Sequence, residues 1–318
     1  MPAPVGFLLR ALLITSTSKA AAAPPETEVV YYLGDPQIGF SDPKNHTEWH
    51  LDAARFGQAA AAAAADPRTA AVVVAGDLVN IWNSSDQIQL YKSVWPSKFP
   101  ACGVHQVPGN HDVNSELTSV PAVLAALEHY KTTFERDDYS NTTTKFASLI
   151  MVNTEMLILP HLGLNGTTDP RILKPVEAQW AWLEAQLAAA QATVQQRPHI
   201  VITMHHPPFL QHETEPHQYF NMPIVPRARI LALARKYGVR TFLCGHTHTT
   251  TNTSTADGIR VYTTAGTARA FDHRGCGYRT LTMSATTLDV SYVELPGGGG
   301  APGCVRSTHP RFNRPSLS

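Results

Sequence analysis

Five short strand-like runs set the frame for this chain: residues 29–33, 71–75, 103–107, 199–203 and 239–243. Each is too short for a globular helix, and each is closed within two residues by Gly, Pro or His. The run at 71–75, Ala-Val-Val-Val-Ala, is wholly apolar, as a strand covered on both faces must be. Helical patterns lie between the runs. Residues 48–65 predict a helix that ends in an alanine run and stops at Asp66-Pro67. Residues 86–95 and 120–129 predict two more. Residues 176–194 place Trp180, Leu183, Leu187 and Val194 on one helical face. Pro226 opens a helix over 226–237 at a favourable first-turn position. Residues 146–152 and 156–159 read as a β-hairpin, and 259–263, 280–283 and 288–295 as further strands. The order is βαβαβ, a hairpin, βαβ and a meander, with no internal repeat. It predicts one α/β domain over 28–295, with two packed sheets and outer helices.

In sheets of this kind ligands bind at the carboxyl ends of the strands. The first run is followed by Gly34-Asp35-Pro36-Gln37, the second by Gly76-Asp77, and the third by Pro108-Gly109-Asn110-His111-Asp112. The fourth leads into Met204-His205-His206 and the fifth into Cys244-Gly245-His246-Thr247-His248. Singly, such residues are ordinary turn formers, caps or core side chains. Jointly they bring Asp, Asp, Asn-His, His and His-x-His to one rim, and unrelated turns have no reason to share that chemistry. Histidine is also abundant, at 15 residues against 4 cysteines. That bias favours metal or acid–base chemistry over a disulfide-built fold.

Composition narrows the partners. The formal net charge of the 318 residues is zero, with 25 basic and 25 acidic side chains, so no electrostatic footprint for nucleic acid or an anionic membrane is present. No apolar run reaches the length of a membrane span. Residues 1–27 read as a flexible or targeting extension. Arg10 interrupts the apolar stretch there, which makes a poor secretory signal, and a weak transit peptide is the alternative. A cytoplasmic protein is the favoured expectation, with secretion or organelle targeting as its alternative. Sequons at Asn45, Asn83, Asn141, Asn165 and Asn252 are compatible with either. Cys102, Cys244, Cys276 and Cys304 allow at most two bridges, and Cys244 is expected as a buried free thiol. Residues 296–318 read as a disordered tail. Oligomeric state is not readable.

The motifs Gly-Asp-x-Gln, Gly-Asp, Gly-Asn-His-Asp, a later His and Gly-His-x-His resemble those of the calcineurin-like metallophosphoesterases. The usual first motif is Asp-x-His. Asp35-Pro36-Gln37 is instead similar to the Asp-Pro-Gln of the calcineurin-like phosphoesterase domain-containing branch. Gln179-Trp180 through Leu187 and Tyr219-Phe220-Asn221 resemble that branch as well. The resemblance implies a four-layer α/β/β/α sandwich of two mixed sheets flanked by helices. It implies a phosphatase that cleaves phosphomonoesters by attack of a metal-bound hydroxide, acting on phosphoserine or phosphothreonine in proteins or on a small phosphoester. It implies two divalent metal ions. Asp77 would bridge them, Asp35, Gln37 and His248 would complete one, and Asn110, His205 and His246 the other. His111 would be the general acid or would stabilise the phosphoryl group, with Asp112 orienting its ring.

An amide oxygen at Gln37 is harder than an imidazole, which favours Mn²⁺ or Mg²⁺, with Fe or Zn as alternatives. His46 or His50 could replace Gln37 as a ligand. His206 is a candidate for substrate contact, as are Arg227, Arg229 and Arg269 for phosphate. Trp82 and Trp95 are expected to pack. The tyrosine that marks purple acid phosphatases is replaced by Asn80. Competing readings are a phosphodiesterase or nucleotidase on the same fold, and a non-catalytic scaffold.

Overall fold

The computed structural model describes residue 1 and residues 26–41, 49–96, 103–113, 119–162, 169–272 and 274–297. The two expected terminal extensions lie almost wholly outside the described residues, as do His46, Cys102, Cys304, Asn45 and Asn165.

The elements in chain order are β1 (Glu28–Leu33), α1 (Trp49–Ala65), β2 (Thr69–Val74), α2 (Ser85–Ser93), β3 (Val104–Gln106), α3 (Asn110–Val113), α4 (Val120–Phe134), β4 (Ser140–Thr143) and β5 (Ala147–Val152). Then come α5 (Thr154–Ile158), α6 (Pro170–Ala192), β6 (His199–Met204), α7 (Ile224–Tyr237), β7 (Thr241–Cys244), β8 (Asn252–Ser254), β9 (Arg260–Thr263), β10 (Gly277–Met283) and β11 (Leu288–Glu294).

They build two mixed sheets. One has the order β11-β10-β1-β2-β3 and the other β4-β5-β6-β7-β9-β8. β1, β2 and β3 run parallel to one another in one sheet, as do β5, β6, β7 and β9 in the other, and the motifs follow β1, β2, β3, β6 and β7. Antiparallel strands close three of the four edges, β11, β4 and β8, and the parallel strand β3 forms the fourth. Alternate side chains serve opposite faces. Val30 and Tyr32 point into a layer between the sheets with Val73, Leu149, Met151, Val201 and Leu243. Val29, Tyr31 and Leu33 join the outer core with Phe56 of α1, which packs on β2. Leu183 and Leu187 of α6, which packs on β5 and β6, and Ile230 and Leu231 of α7, which packs on α6, are buried in the same core on the side of the second sheet. The α/β/β/α layering expected from the sequence is present.

Several elements differ from the sequence reading. The second half of the expected hairpin, 156–159, is helical: Asn153 caps α5, its Oδ1 accepting from the Met156 amide at 3.2 Å. A cap immediately after a strand turns the chain before it can pair back. The long helix begins at Pro170, because Asp169 accepts from the Arg171 amide. In α7, Pro226 is the third residue rather than the first. The edge strands β4 and β8 were not anticipated. Their sequences, Ser-Asn-Thr-Thr and Asn-Thr-Ser, carry no apolar alternation, and their neighbours impose the pairing. Trp82 and Trp95 pack against the core as expected. Cys244 is a buried free thiol, and Cys276 is disulfide-bonded.

Two buried side chains hold the loops above β1 and β2. Asp52 of α1 accepts from the amides of Gly39 (3.0 Å) and Ser41 (3.3 Å). Gln87 of α2 accepts from the Ile81 amide at 2.8 Å. The helices therefore position the rim as well as cover the sheet.

Candidate metal centre

The motif residues meet where the sheets present their carboxyl strand ends. Asp35, Gln37, Asp77, Asn110, His205, His246 and His248 are all buried. Asp77, His205 and His246 offer ligand atoms within 4.8 Å of one another, and so do Asp35, Asp77 and His248. Asp77 belongs to both groups. Asn110 Oδ1 lies 3.0 Å from His205 Nε2, beside the first group. His246 and His248, two residues apart, fall into different groups.

The backbone is strained to achieve this. Asp35, Gln37, Asp77, His246 and His248 all have positive φ, from 34° to 67°. Outside the cluster, the one other non-glycine with positive φ among the described residues is Glu135, which ends α4. Each such residue costs about 1 kcal/mol or more, and strain of this kind persists where surrounding structure enforces it. Glycine is needed beside it: a Cβ on Gly109 would come within 2.2 Å of Asp77 Oδ1, and one on Gly76 within 2.6 Å of His205 Nδ1.

The electrostatics favour a cation. Burial raises the Asp35 carboxyl above the ordinary carboxylate range, against the pull of His205. Burial would raise Asp77 too, but the imidazoles of His205, His111 and His246 carry it below that range. His205 is desolvated, yet Asp77, Asp35 and Glu155 push it up to about 10. Burial drives His246 down, and His248 down to about 4. These carboxylates have imidazole partners and no Lys or Arg among the described residues. Two buried oxygens, Asp35 Oδ2 and Gln37 Oε1, have no hydrogen-bond partner among the described residues. A divalent ion fits this donor set: it would satisfy both oxygens and supply the missing positive charge.

The His111 ring is placed differently from expectation. Its Nδ1 lies 2.9 Å from the Asn80 carbonyl oxygen. Asp112 does not orient that ring. It accepts from the amides of Gly109 (2.8 Å), Leu78 (2.9 Å) and Val79 (3.2 Å), and so ties the β2 turn to the β3 turn. Three amide donors have drawn the carboxylate into the backbone. The amide of His111 itself donates to Asp77 Oδ1 at 2.9 Å.

Other candidates sort clearly. His50 is exposed on α1 and not part of the cluster. Arg227 is buried and donates to the carbonyls of Met222, Glu213 and Glu215, so it organises a loop. Arg229 pairs with Glu177 and lies over Trp180, on the surface. Arg269 lies over Phe40 and Phe271. His206 is buried, with Nδ1 2.7 Å from Glu155 Oε1 and its ring 3.9 Å from that of His246. Glu155 escaped the sequence reading because it fell inside the expected hairpin. Tyr219, 62% exposed, accepts from Asn110 Nδ2 at 3.4 Å through its hydroxyl, and its carbonyl oxygen lies 3.0 Å from His246 Nε2.

A two-sheet sandwich with a strained carboxylate–imidazole cluster at its strand ends defines a class of metal-binding protein. The calcineurin-like phosphoesterase model matches residues 29–250, and the chain belongs to that family. Two curated relatives carry the name serine/threonine-protein phosphatase CPPED1. The one from Danio rerio is 25% identical over 186 residues, covering 57% of this chain and 55% of the relative. The one from Rattus norvegicus is 28% identical over 142 residues, covering 45% and 40%. The chain thus spans about half the length of the curated relatives it matches. Solved structures agree on the fold. A dimetal phosphatase from Danio rerio superposes with TM-score 0.55 at 15% identity, over 84% of this chain and 97% of the other. A purple acid phosphatase from yellow lupin gives 0.59 at 15% identity, over 87% and 53%.

Proposed function

We propose that this chain is a phosphatase dependent on two divalent metal ions, cleaving phosphomonoesters, with phosphoserine and phosphothreonine of proteins as its substrate class. The observation that carries the reading is the pair of orphaned buried oxygens, Asp35 Oδ2 and Gln37 Oε1, inside a cluster that Asp77 divides into two ligand groups. The family and the phosphatase names of its relatives support it.

In this reading Asp77 is shared. Asp35, Gln37 and His248 complete one ion, and Asn110, His205 and His246 the other. Held there, the ions would supply an acidified water and positive charge for the phosphoryl oxygens. The rest falls to the protein. Because a carbonyl only accepts, the Asn80 oxygen fixes the proton of His111 on Nδ1, leaving Nε2 to carry the proton that the leaving oxygen needs. Asp112 keeps the two turns that bear Asp77 and Asn110 in register. The amide oxygen of Gln37 favours Mn²⁺ or Mg²⁺ over Fe or Zn. Among the described residues no helix is long and apolar enough to cross a membrane.

The test is turnover of a phosphopeptide, a phosphodiester and a nucleotide across Mn²⁺, Mg²⁺, Zn²⁺ and Fe²⁺, with His111→Ala as the blank. Metal-dependent release of phosphate from the phosphopeptide, lost in the blank, is expected. Preference for the diester or the nucleotide would move the substrate class. Absence of any turnover, with Asp77→Asn behaving identically, would make the chain a scaffold.

A further inference from the structure

The guanidinium of Arg269 lies 5.4 Å from the ring centre of Phe40 and 5.8 Å from that of Phe271, in cation–π contact with both. Those rings belong to the site. Phe271 stacks on His248 at 4.7 Å, and Phe40 lies 5.4 Å from His248 and 6.3 Å from His111. The Arg269 carbonyl oxygen lies 2.8 Å from His248 Nδ1, so its backbone is fixed by a candidate ligand. Its side chain is only partly exposed. Arg229 makes a useful contrast: it also lies over an aromatic ring, but a carboxylate occupies both ends of its fork, at 2.9 and 3.0 Å. The Arg269 fork has no carboxylate and no hydrogen-bond acceptor among the described residues. A rigidly held guanidinium with unused donors, beside a phosphoester site, is placed to receive an anion.

Resting on the phosphatase reading above, we infer that Arg269 determines specificity: clasped by Phe40 and Phe271, it takes a phosphoryl oxygen that the two metal ions leave free, and so selects monoesters over diesters. The argument is a count of oxygens. A phosphomonoester presents three acceptor oxygens and close to two negative charges at neutral pH. Two ions engage two of them, and the third is available to a guanidinium. A diester has one oxygen fewer and a single charge, so the same pose leaves nothing for Arg269.

The test uses the full chain loaded with Mn²⁺, with Arg269→Ala, Arg269→Lys and Phe40→Leu. Inorganic phosphate binding is measured by calorimetry, and p-nitrophenyl phosphate is compared with bis(p-nitrophenyl) phosphate. Removing a charge-assisted contact should weaken phosphate binding about tenfold or more in Arg269→Ala. Arg269→Lys and Phe40→Leu should show smaller losses, with metal stoichiometry unchanged. The monoester-to-diester ratio of kcat/KM should fall by a similar factor. If Arg269→Ala does not fold, the other two variants decide by the same readings. Failure of the wild-type chain to bind phosphate, equal binding in the variants, or equal loss on both esters would overturn the inference. Phosphate binding that depends on Arg269 without turnover of either ester would instead remove the phosphatase reading and leave the anion site standing.

Discussion

The Nδ1 of His111 and the carbonyl oxygen of Asn80 stand 2.9 Å apart, so the imidazole that faces the proposed reaction is oriented by the backbone. Asp112, its sequence neighbour, is spent on three backbone amides. The two residues should therefore separate in experiment. His111→Ala should lower kcat by about 10²–10⁴-fold, the usual worth of a general acid, with little change in melting temperature. Asp112→Asn replaces an oxygen acceptor by an NH₂ group facing amide donors. It should cost roughly 2–4 kcal/mol of stability, the scale of an unsatisfied buried polar group, and more where charge is involved. Thermal melts and steady-state kinetics on both variants check this. A stable, folded Asp112→Asn with a shifted pH profile would return Asp112 to the role of orienting the ring.

Gln37 tests the nature of the first ligand group. Its Nε2 donates to Asn80 Oδ1 at 3.3 Å, which leaves Oε1 without a partner among the described residues at a buried position. Gln37→His should shift metal preference toward Zn²⁺ or Fe, because imidazole is the softer ligand. Gln37→Leu should weaken metal binding without unfolding the chain, since it removes the orphaned oxygen. Activation profiles and metal titrations that match wild type in both variants would exclude Gln37 as a ligand.

The metal-free protein should lose stability as pH rises above neutrality. Burial pushes Glu155 up to about 8 and raises Asp35 as well. A carboxyl whose folded pKa is raised binds more protons folded than unfolded between its ordinary value and the raised one, so stability falls as pH climbs through that window. His205, raised to about 10 by its carboxylate neighbours, contributes with the same sign: its stabilisation is complete below its ordinary value and is lost on approach to 10. His246 and His206 are lowered and act oppositely, but only at acid pH, below the ordinary imidazole value. From pH 7 upward the first set therefore acts alone. Divalent ions replace the protons, so the gain in melting temperature on adding Mn²⁺ should widen from pH 6 to pH 8. Parallel melting curves with Mn²⁺ and with chelator would refute proton–metal competition.

The candidate ligands were legible because each sits one to four residues beyond a short strand, apolar in most cases though not in the Val-His-Gln of β3, and the strand-end rule needs only the strand. The strain at Asp35, Gln37, Asp77, His246 and His248 was not legible, since five positive φ values at non-glycine residues run against local preference. It is imposed by the packing of two sheets. The hydrogen bonds of Asp112 and His111 were equally hidden. Adjacency in sequence pointed to a carboxylate–imidazole pair, whereas the choice was made by two amides and one carbonyl of the β2 turn and one amide of the β3 turn. β4 and β8 lack any periodic signal, because edge strands with polar faces are specified by their partners.

Glu155 is the residue whose role is visible only in three dimensions. Its Oε1 lies 2.7 Å from His206 Nδ1, and the His206 ring lies 3.9 Å from His246, a candidate ligand. The Thr154 hydroxyl accepts from the His206 amide at 3.1 Å, so α5 grips His206 by both backbone and ring. Support of this kind for a ligating imidazole is worth about 10–100-fold in metal affinity. Glu155→Ala should weaken binding in the group of Asp77, His205 and His246 by that factor, while the group of Asp35, Asp77 and His248 changes little. Glu155→Gln keeps an acceptor oxygen at the same place and should recover most of the loss. Metal titrations that resolve two binding steps make the comparison. Equal weakening of both steps in Glu155→Ala, or no rescue by Gln, would show that Glu155 serves the fold rather than His246.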